Sequence, residues 1–323
     1  MTDILGKFLL AAVLILASGA AGYVCRRRAW LGEGVAERIM TFVAVGGYPL
    51  VGALSIWGMR LAPTDLVLPV LAVLHLVLMT FLGLPLARLV TRDRAERGLF
   101  AIATGTGNNG FTMGAFVLFL LHGEEGMGLG NLYMVLIIPA TVLFLYPLAR
   151  HYATVQPARA GSLATLMRHS LLNWRSIGLP IVAVAILMSL WGVPRPDWVG
   201  AWRVVDVLVY TVTPLAFFGI GLRLRLGHAP QLWRLVAGLA VTRFLLGAMV
   251  AVAVVALMSV TPWPLEGLRR GAFLIQGFVP TSVTMVALAN MFGLRPAEAS
   301  VLFVSNTVFY LLGVFPVILW CNS

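Results

Sequence analysis

The chain has 323 residues, of which 60% are hydrophobic and 11% charged, and a formal net charge of +11. Soluble domains carry about 25% charged residues, so this composition argues against a water-soluble enzyme and against a nucleic-acid-binding module. In a membrane protein an excess of base marks cytoplasmic loops, and the charge is read that way. Cys25 and Cys321 stand near opposite ends of the chain and offer neither metal-ligand spacing nor a disulfide framework.

A helix crosses the bilayer core with roughly 20 apolar residues. Ten apolar runs meet that need, at 5–24, 38–58, 66–88, 98–121, 130–149, 177–193, 203–222, 233–258, 271–289 and 298–320. The first is not a cleaved signal, because its bases (Arg26, Arg27, Arg28) follow the apolar run instead of preceding it. The loops after spans 1, 3, 5, 7 and 9 hold most of the bases, which predicts that they are cytoplasmic and that both termini lie outside. The connection 150–176 places Leu163, Leu166, Met167, Leu171, Leu172 and Trp174 at helical spacing, with Arg168, His169 and Arg175 among them. It predicts an interfacial amphipathic helix joining two halves, 1–149 and 177–323; a solvated linker is the alternative.

The halves repeat. Arg38 and Pro49 of span 2 correspond at one common offset to Arg203 and Pro214 of span 7. Arg97-Gly98 opens span 4 and Arg270-Gly271 opens span 9, while spans 5 and 10 end in Tyr146-Pro147 and Phe315-Pro316. Five spans per half make the repeat inverted. Inverted repeats are typical of secondary transporters, whose sites lie near the midplane on interrupted helices.

Span 4 is interrupted by Thr104-Gly105-Thr106-Gly107-Asn108-Asn109-Gly110-Phe111-Thr112, and span 9 by Gln276-Gly277-Phe278-Val279-Pro280-Thr281-Ser282. Gly and Asn are poor helix formers, and Pro280 removes a backbone donor. Unwound backbone at membrane depth is tolerated only where it is buried in protein or lines a wet cavity. The half-helix N-termini there would favour an anion. Asn108, Asn109, Thr112, Gln276, Pro280, Thr281 and Ser282 are the candidate solute-binding residues. Gly105, Gly107, Gly110 and Pro280 are the candidate crossing point. Ordinary close packing of small residues is the structural alternative.

At these residues the sequence resembles the auxin efflux carrier family of membrane transporters. The resemblance is carried by Gly107-Asn108-Asn109-Gly110-Phe111-Thr112-Met113-Gly114, by Gly123-Glu124-Glu125-Gly126, by Thr213-Pro214-Leu215 with Gly219 and Gly221, and by Val279-Pro280-Thr281-Ser282 with Ala287-Leu288-Ala289. It implies a distant bacterial member with ten helices in a five-plus-five inverted repeat. Spans 1, 2, 6 and 7 would form a scaffold that dimerises, and spans 3–5 and 8–10 a transport domain in which spans 4 and 9 cross beside the substrate. The bile acid sodium symporters share this architecture. Plant members carry a proline at the break of span 4, where Asn108 or Gly107 stands here, so indole-type substrates do not carry over. Bacterial relatives are linked to small carboxylates such as malate or malonate.

Two ionisable groups lie mid-span at matching depth, His75 in span 3 and Arg243 in span 8. Intramembrane charge is costly and marks function by default. The planar guanidinium of Arg243 suits a carboxylate, or else it bonds carbonyls at a helix break. His75 is either titratable or a hydrogen-bonded packing residue. Glu124 and Glu125 read as a solvated outer turn. No Asp or Glu lies mid-span, which argues against a carboxylate proton relay.

The sequence thus predicts an all-α integral protein of the bacterial cytoplasmic membrane that carries small organic anions by alternating access. No cofactor, metal or nucleic acid is called for; Na+ or H+ coupling stays open, and a sodium-coupled symporter of the bile acid type is the rival. An embedded enzyme would need a nucleophile, an acid–base pair or a metal cluster facing a cavity, and none is apparent.

Overall fold

The computed structural model describes residues 2–153, 177–224 and 229–321, which are helical throughout with no strand among them. The helices are α1 (Thr2–Arg27), α2 (Gly34–Gly58), α3 (Pro63–Val90), α4 (Arg94–Gly105) and α5 (Gly114–Tyr152). They continue with α6 (Gly178–Leu190), α7 (Asp197–Ala201), α8 (Val204–Gly221), α9 (Trp233–Met258), α10 (Gly267–Gly277), α11 (Val283–Phe292) and α12 (Pro296–Trp320). Six of them, α2, α3, α5, α8, α9 and α12, are long and apolar enough to cross a membrane. Large apolar side chains such as Phe81, Leu245 and Leu312 project outward along these helices. In water they would form an aggregating surface; in lipid they are solvated. The chain is a multi-pass helical membrane protein.

Span 4 is divided between α4 and the start of α5, and span 9 between α10 and α11. The turn expected before span 5 is tight: α5 reverses at Gly123, whose φ of 62° suits glycine. The returning arm lies so close that a Cβ on Gly130 would sit 2.6 Å from Ala115. Of the amphipathic connection expected at 150–176, residues 150–152 continue α5 and 154–176 lie outside the described residues.

α1 and α8 pack side by side and parallel through glycines. A Cβ on Gly22 would lie 2.2 Å from the Phe218 carbonyl oxygen, and one on Gly221 would lie 2.1 Å from that of Gly19. α2 and α6 are likewise parallel, with Gly178 against Pro49 and Gly52 against Val182. Val43, Val212 and Ala216 form a small core between α2 and α8. These four helices make one packed group. The remaining helices pack around α3, α4 and the two interrupted segments.

Three helices widen by one π turn directly before a proline. Tyr48, Tyr146 and Phe315 each donate a backbone N–H five residues back, to Val43, Thr141 and Tyr310. Pro49, Pro147 and Pro316 follow. A proline ring would clash with the carbonyl four residues back in a regular helix, and the wide turn moves that carbonyl aside.

Hydrogen bonds and ion pairs sort the loops. At one end Arg195 in the α6–α7 loop meets Glu124 at the α5 bend, and Arg269 reaches Asp65 and Thr64 in the first turn of α3. At the other, Arg295 pairs with Asp93 (2.8 Å), Arg94 donates to the His151 carbonyl (2.6 Å), and Arg26 donates to the carbonyls of Leu222 and Leu224. Glu124 is therefore ion-paired and two-thirds covered, not a freely solvated turn residue.

Asp93 also caps α4 by accepting from the Glu96 N–H at 2.9 Å. The Arg295 guanidinium holds its carboxyl below the usual carboxylate range. A depressed folded-state value means the stabilisation is full above the unfolded carboxylate range and is lost as pH falls through the folded one. Asp93→Ala is expected to cost about 1 kcal/mol of stability at neutral pH. In thermal unfolding in detergent, its deficit against the parent should shrink below about pH 4.

Candidate functional site

The two interruptions meet. Gly107 and Thr281 form an isolated antiparallel bridge. The Asn108 N–H donates to the Pro280 carbonyl at 2.7 Å, and the Ser282 N–H donates to the Thr106 carbonyl at 3.0 Å. Side chains repeat the exchange. Asn109 Nδ2 donates to the Gln276 carbonyl (2.8 Å) and to Gln276 Oε1 (2.9 Å), while Gln276 Nε2 donates to the Asn109 carbonyl (2.9 Å). Glycine is required here for space: a Cβ on Gly114 would sit 2.1 Å from Gln276 Oε1.

Each broken helix leaves carbonyls that would be orphaned in lipid. At the end of α4, the Ile102 carbonyl accepts from the Thr106 N–H (2.9 Å) and the Ala103 carbonyl from Thr281 Oγ1 (2.9 Å). The Thr104 carbonyl accepts from Arg243 Nη1 at 2.9 Å. On the other strand, the Val279 carbonyl accepts from Arg243 Nε (3.1 Å) and Nη2 (2.6 Å). Arg243 is fully buried within a π turn of α9. Of the two roles the sequence leaves open for it, the geometry shows the carbonyl-bonding one: the guanidinium clamps both breaks.

The N-terminal N–H groups beyond the breaks are also engaged. Those of Gly114 and Ala115 donate to the carbonyls of Asn108 (2.8 Å) and Asn109 (2.9 Å). Ser282 Oγ caps α11 by accepting from the Thr284 N–H at 3.1 Å. The Thr281 N–H donates to Asn306 Oδ1 of α12 at 2.8 Å.

A cavity of about 310 Å³ lies against the crossing. Asn108, Asn109, Thr112 and Ser282, candidate solute-binding residues from the sequence, line it together with Gly107 and Gly110 of the candidate crossing point. Gln276, Pro280, Thr281 and Arg243 do not reach it; they lie inside the crossing. His75 and Gly105 line a second, water-sized space of about 20 Å³ on the α3 side. His75 is buried, with Nε2 3.4 Å from the Gly247 carbonyl oxygen. Asn108 Oδ1 accepts from the Thr112 hydroxyl, while Asn108 Nδ2 has no partner among the described residues.

Sequence reasoning missed much of the opposite wall. Tyr48 and Phe111 stack with ring centroids 4.7 Å apart, and both line the larger cavity with Met40, Val182, Ile220 and Asn131. Tyr48 stands beside Pro49 in span 2 and carries no signal of its own in the sequence. Asn131, a lone amide in an apolar run, was the available signal for its position.

No family model matches the chain, and no curated protein matches it.

If Arg243 is the clamp, Arg243→Gln leaves buried carbonyls without donors. It should lower stability by about 3 kcal/mol, read as a large drop in the detergent melting temperature. A double-mutant cycle on Asn109→Ala and Gln276→Ala should give a coupling energy of about 1–2 kcal/mol. Additive effects would mean that the amide exchange contributes nothing.

Proposed function

We propose that the protein is a secondary carrier of small organic anions, with the solute held in the cavity at the crossing of the two interrupted segments. The observation that carries this reading is the meeting of both breaks, backbone to backbone, beside a cavity walled by neutral amides and hydroxyls. A purely structural crossing has no need of an open space there. Asn108 Nδ2 is buried at the cavity wall without a partner among the described residues, and a carboxylate oxygen would satisfy it. Gly107 separates the cavity from Arg243: a Cβ there would lie 2.7 Å from Nη2. The guanidinium therefore favours an anion electrostatically without leaving its carbonyls. The apolar face formed by Tyr48, Phe111, Val182 and Ile220 suits the carbon skeleton of an organic acid.

The reading takes the chain as ten spans in an inverted repeat, related in architecture to the auxin efflux carriers. Two features support it. The parallel pairing of α1 with α8 maps onto that of α2 with α6 when the halves are exchanged. The wide turn before Tyr146-Pro147 recurs before Phe315-Pro316. The group of α1, α2, α6 and α8 is then the scaffold and dimerisation surface, and the rest is the moving body. On this reading the protein sits in a bacterial cytoplasmic membrane with both termini outside, which the arginine-rich loops support.

The test is counterflow of labelled malate, malonate and longer monocarboxylates into proteoliposomes, with and without sodium and a pH gradient. Saturable exchange of at least one acid is expected, reduced about tenfold by Asn108→Ala, the loss of one charge-assisted hydrogen bond. Absolute dependence on sodium would move the protein to the sodium-symporter reading. No movement of any acid under any gradient would overturn the carrier.

A further inference from the structure

A second cavity, of about 620 Å³, opens at the end of the molecule opposite the arginine-rich loops. Arg60, Asp65, Glu124, Glu125, Arg195 and Arg269 give it a charged lining. The cavity at the crossing runs the other way. It is lined by Met40 and Ala44 in the first half of α2, by Gly178 and Leu179 at the start of α6, and by Ile220 at the end of α8. Only a thin layer separates the two spaces. In it, Asn131 Nδ2 donates to Ser55 Oγ at 3.3 Å. A Cβ on Gly128 would lie 2.0 Å from Met59 Sδ and 3.1 Å from the Ser55 carbonyl oxygen. Ser55 faces the charged cavity, and Asn131 faces the one at the crossing.

One ion pair closes over this layer. Arg195 belongs to the loop between α6 and α7, on the four-helix group; Glu124 belongs to the bend of α5, on the other body. Both Nη atoms of Arg195 donate to the two carboxylate oxygens of Glu124, and Nη1 also donates to the Leu54 carbonyl at 2.9 Å. The side chains are 15% and 33% exposed, so salt screens the pair less than a surface one. Gly58 makes room for it, since a Cβ there would lie 2.5 Å from Arg195 Nη1 and 2.8 Å from Glu124 Oε1. The loop end on the four-helix side is itself fixed. Ser189 Oγ donates to the Met59 carbonyl (2.6 Å) and accepts from the Leu61 N–H (3.2 Å), and Trp57 Nε1 donates to the Val193 carbonyl (2.8 Å). On the α5 side, the pair hangs on the bend at Gly123.

We infer that the Arg195–Glu124 pair is the latch of a gate. It seals the charged end while the cavity at the crossing faces the arginine-rich end, and it must separate for the crossing to become accessible from the charged end. The other contacts within the layer are neutral, so the pair supplies its only directional charge contact among the described residues. The adjoining charged cavity supplies water to hydrate both groups as they part, which lets the latch release without stranding a buried charge. This inference rests on the carrier reading, since a static crossing needs no gate.

The test is sided labelling of the full-length protein in sealed membrane vesicles of both orientations. Cys25 and Cys321 are replaced by serine, and Thr284→Cys reports the wall at the crossing. With a membrane-impermeant maleimide, the parent should label from the arginine-rich face only. Glu124→Gln and Arg195→Gln should each raise labelling from the opposite face about tenfold. The reciprocal exchange, Glu124→Arg with Arg195→Glu, should restore protection, which also excludes misfolding as the cause. Labelling from the charged face that stays at the parent level in both single variants would overturn the latch. So would labelling that rises in them and is not reversed by the exchange. Labelling reads the gate and counterflow reads the carriage. Transport with unchanged labelling would sink the latch alone, and altered labelling without transport of any acid would sink the carrier alone.

Discussion

Lipid offers no hydrogen bonds, and the architecture at the crossing follows from that constraint. Two helices stop in the protein interior and leave carbonyls that water cannot reach. Those of Ala103, Thr106, Gln276 and Pro280 are answered by the other segment, and those of Thr104 and Val279 by Arg243, which spends three donors on two carbonyls. The buried guanidinium is tolerable because those oxygens replace its hydration. Remove the clamp and the breaks lose their shape, and with it the amide and hydroxyl wall that the crossing gives its cavity.

This division of labour explains why the cavity wall carries no charge. The residues with the strongest chemistry, Arg243 and Gln276, are committed to structure, and the softer ones, Asn108, Thr112 and Ser282, are left at the surface of the cavity. On the proposed carrier reading, a neutral wall over a buried positive charge would hold an anion without an ion pair that must be broken on release. His75 stands apart, packed edge-on against Phe273 with centroids 6.2 Å apart.

The breaks were legible in the sequence because their cause is local: Gly107, Gly110 and the two Asn in one segment, Pro280 in the other. The apolar runs were legible for the same reason. What could not be read was decided by contacts between distant parts of the chain. Nothing near Arg243 in sequence announces that its partners are the carbonyls of Thr104 and Val279. Glu124 sits among glycines that suggest a loop, yet Gly123 turns α5 back on itself and delivers the carboxylate to Arg195. Tyr48 and Phe111 are ordinary aromatics in apolar runs until the fold stacks them.

The wide turn ahead of Pro49 has an effect beyond accommodating a ring. One surplus residue in a helix rotates everything downstream by about 100° about its axis. Tyr48 is the first residue after the surplus, so its direction is set by where the proline sits and not by the apolar stripe that precedes it. The phase of α2 therefore changes between its two ends: one half is clocked to pack against α8, and the other to present an aromatic ring to the cavity at the crossing.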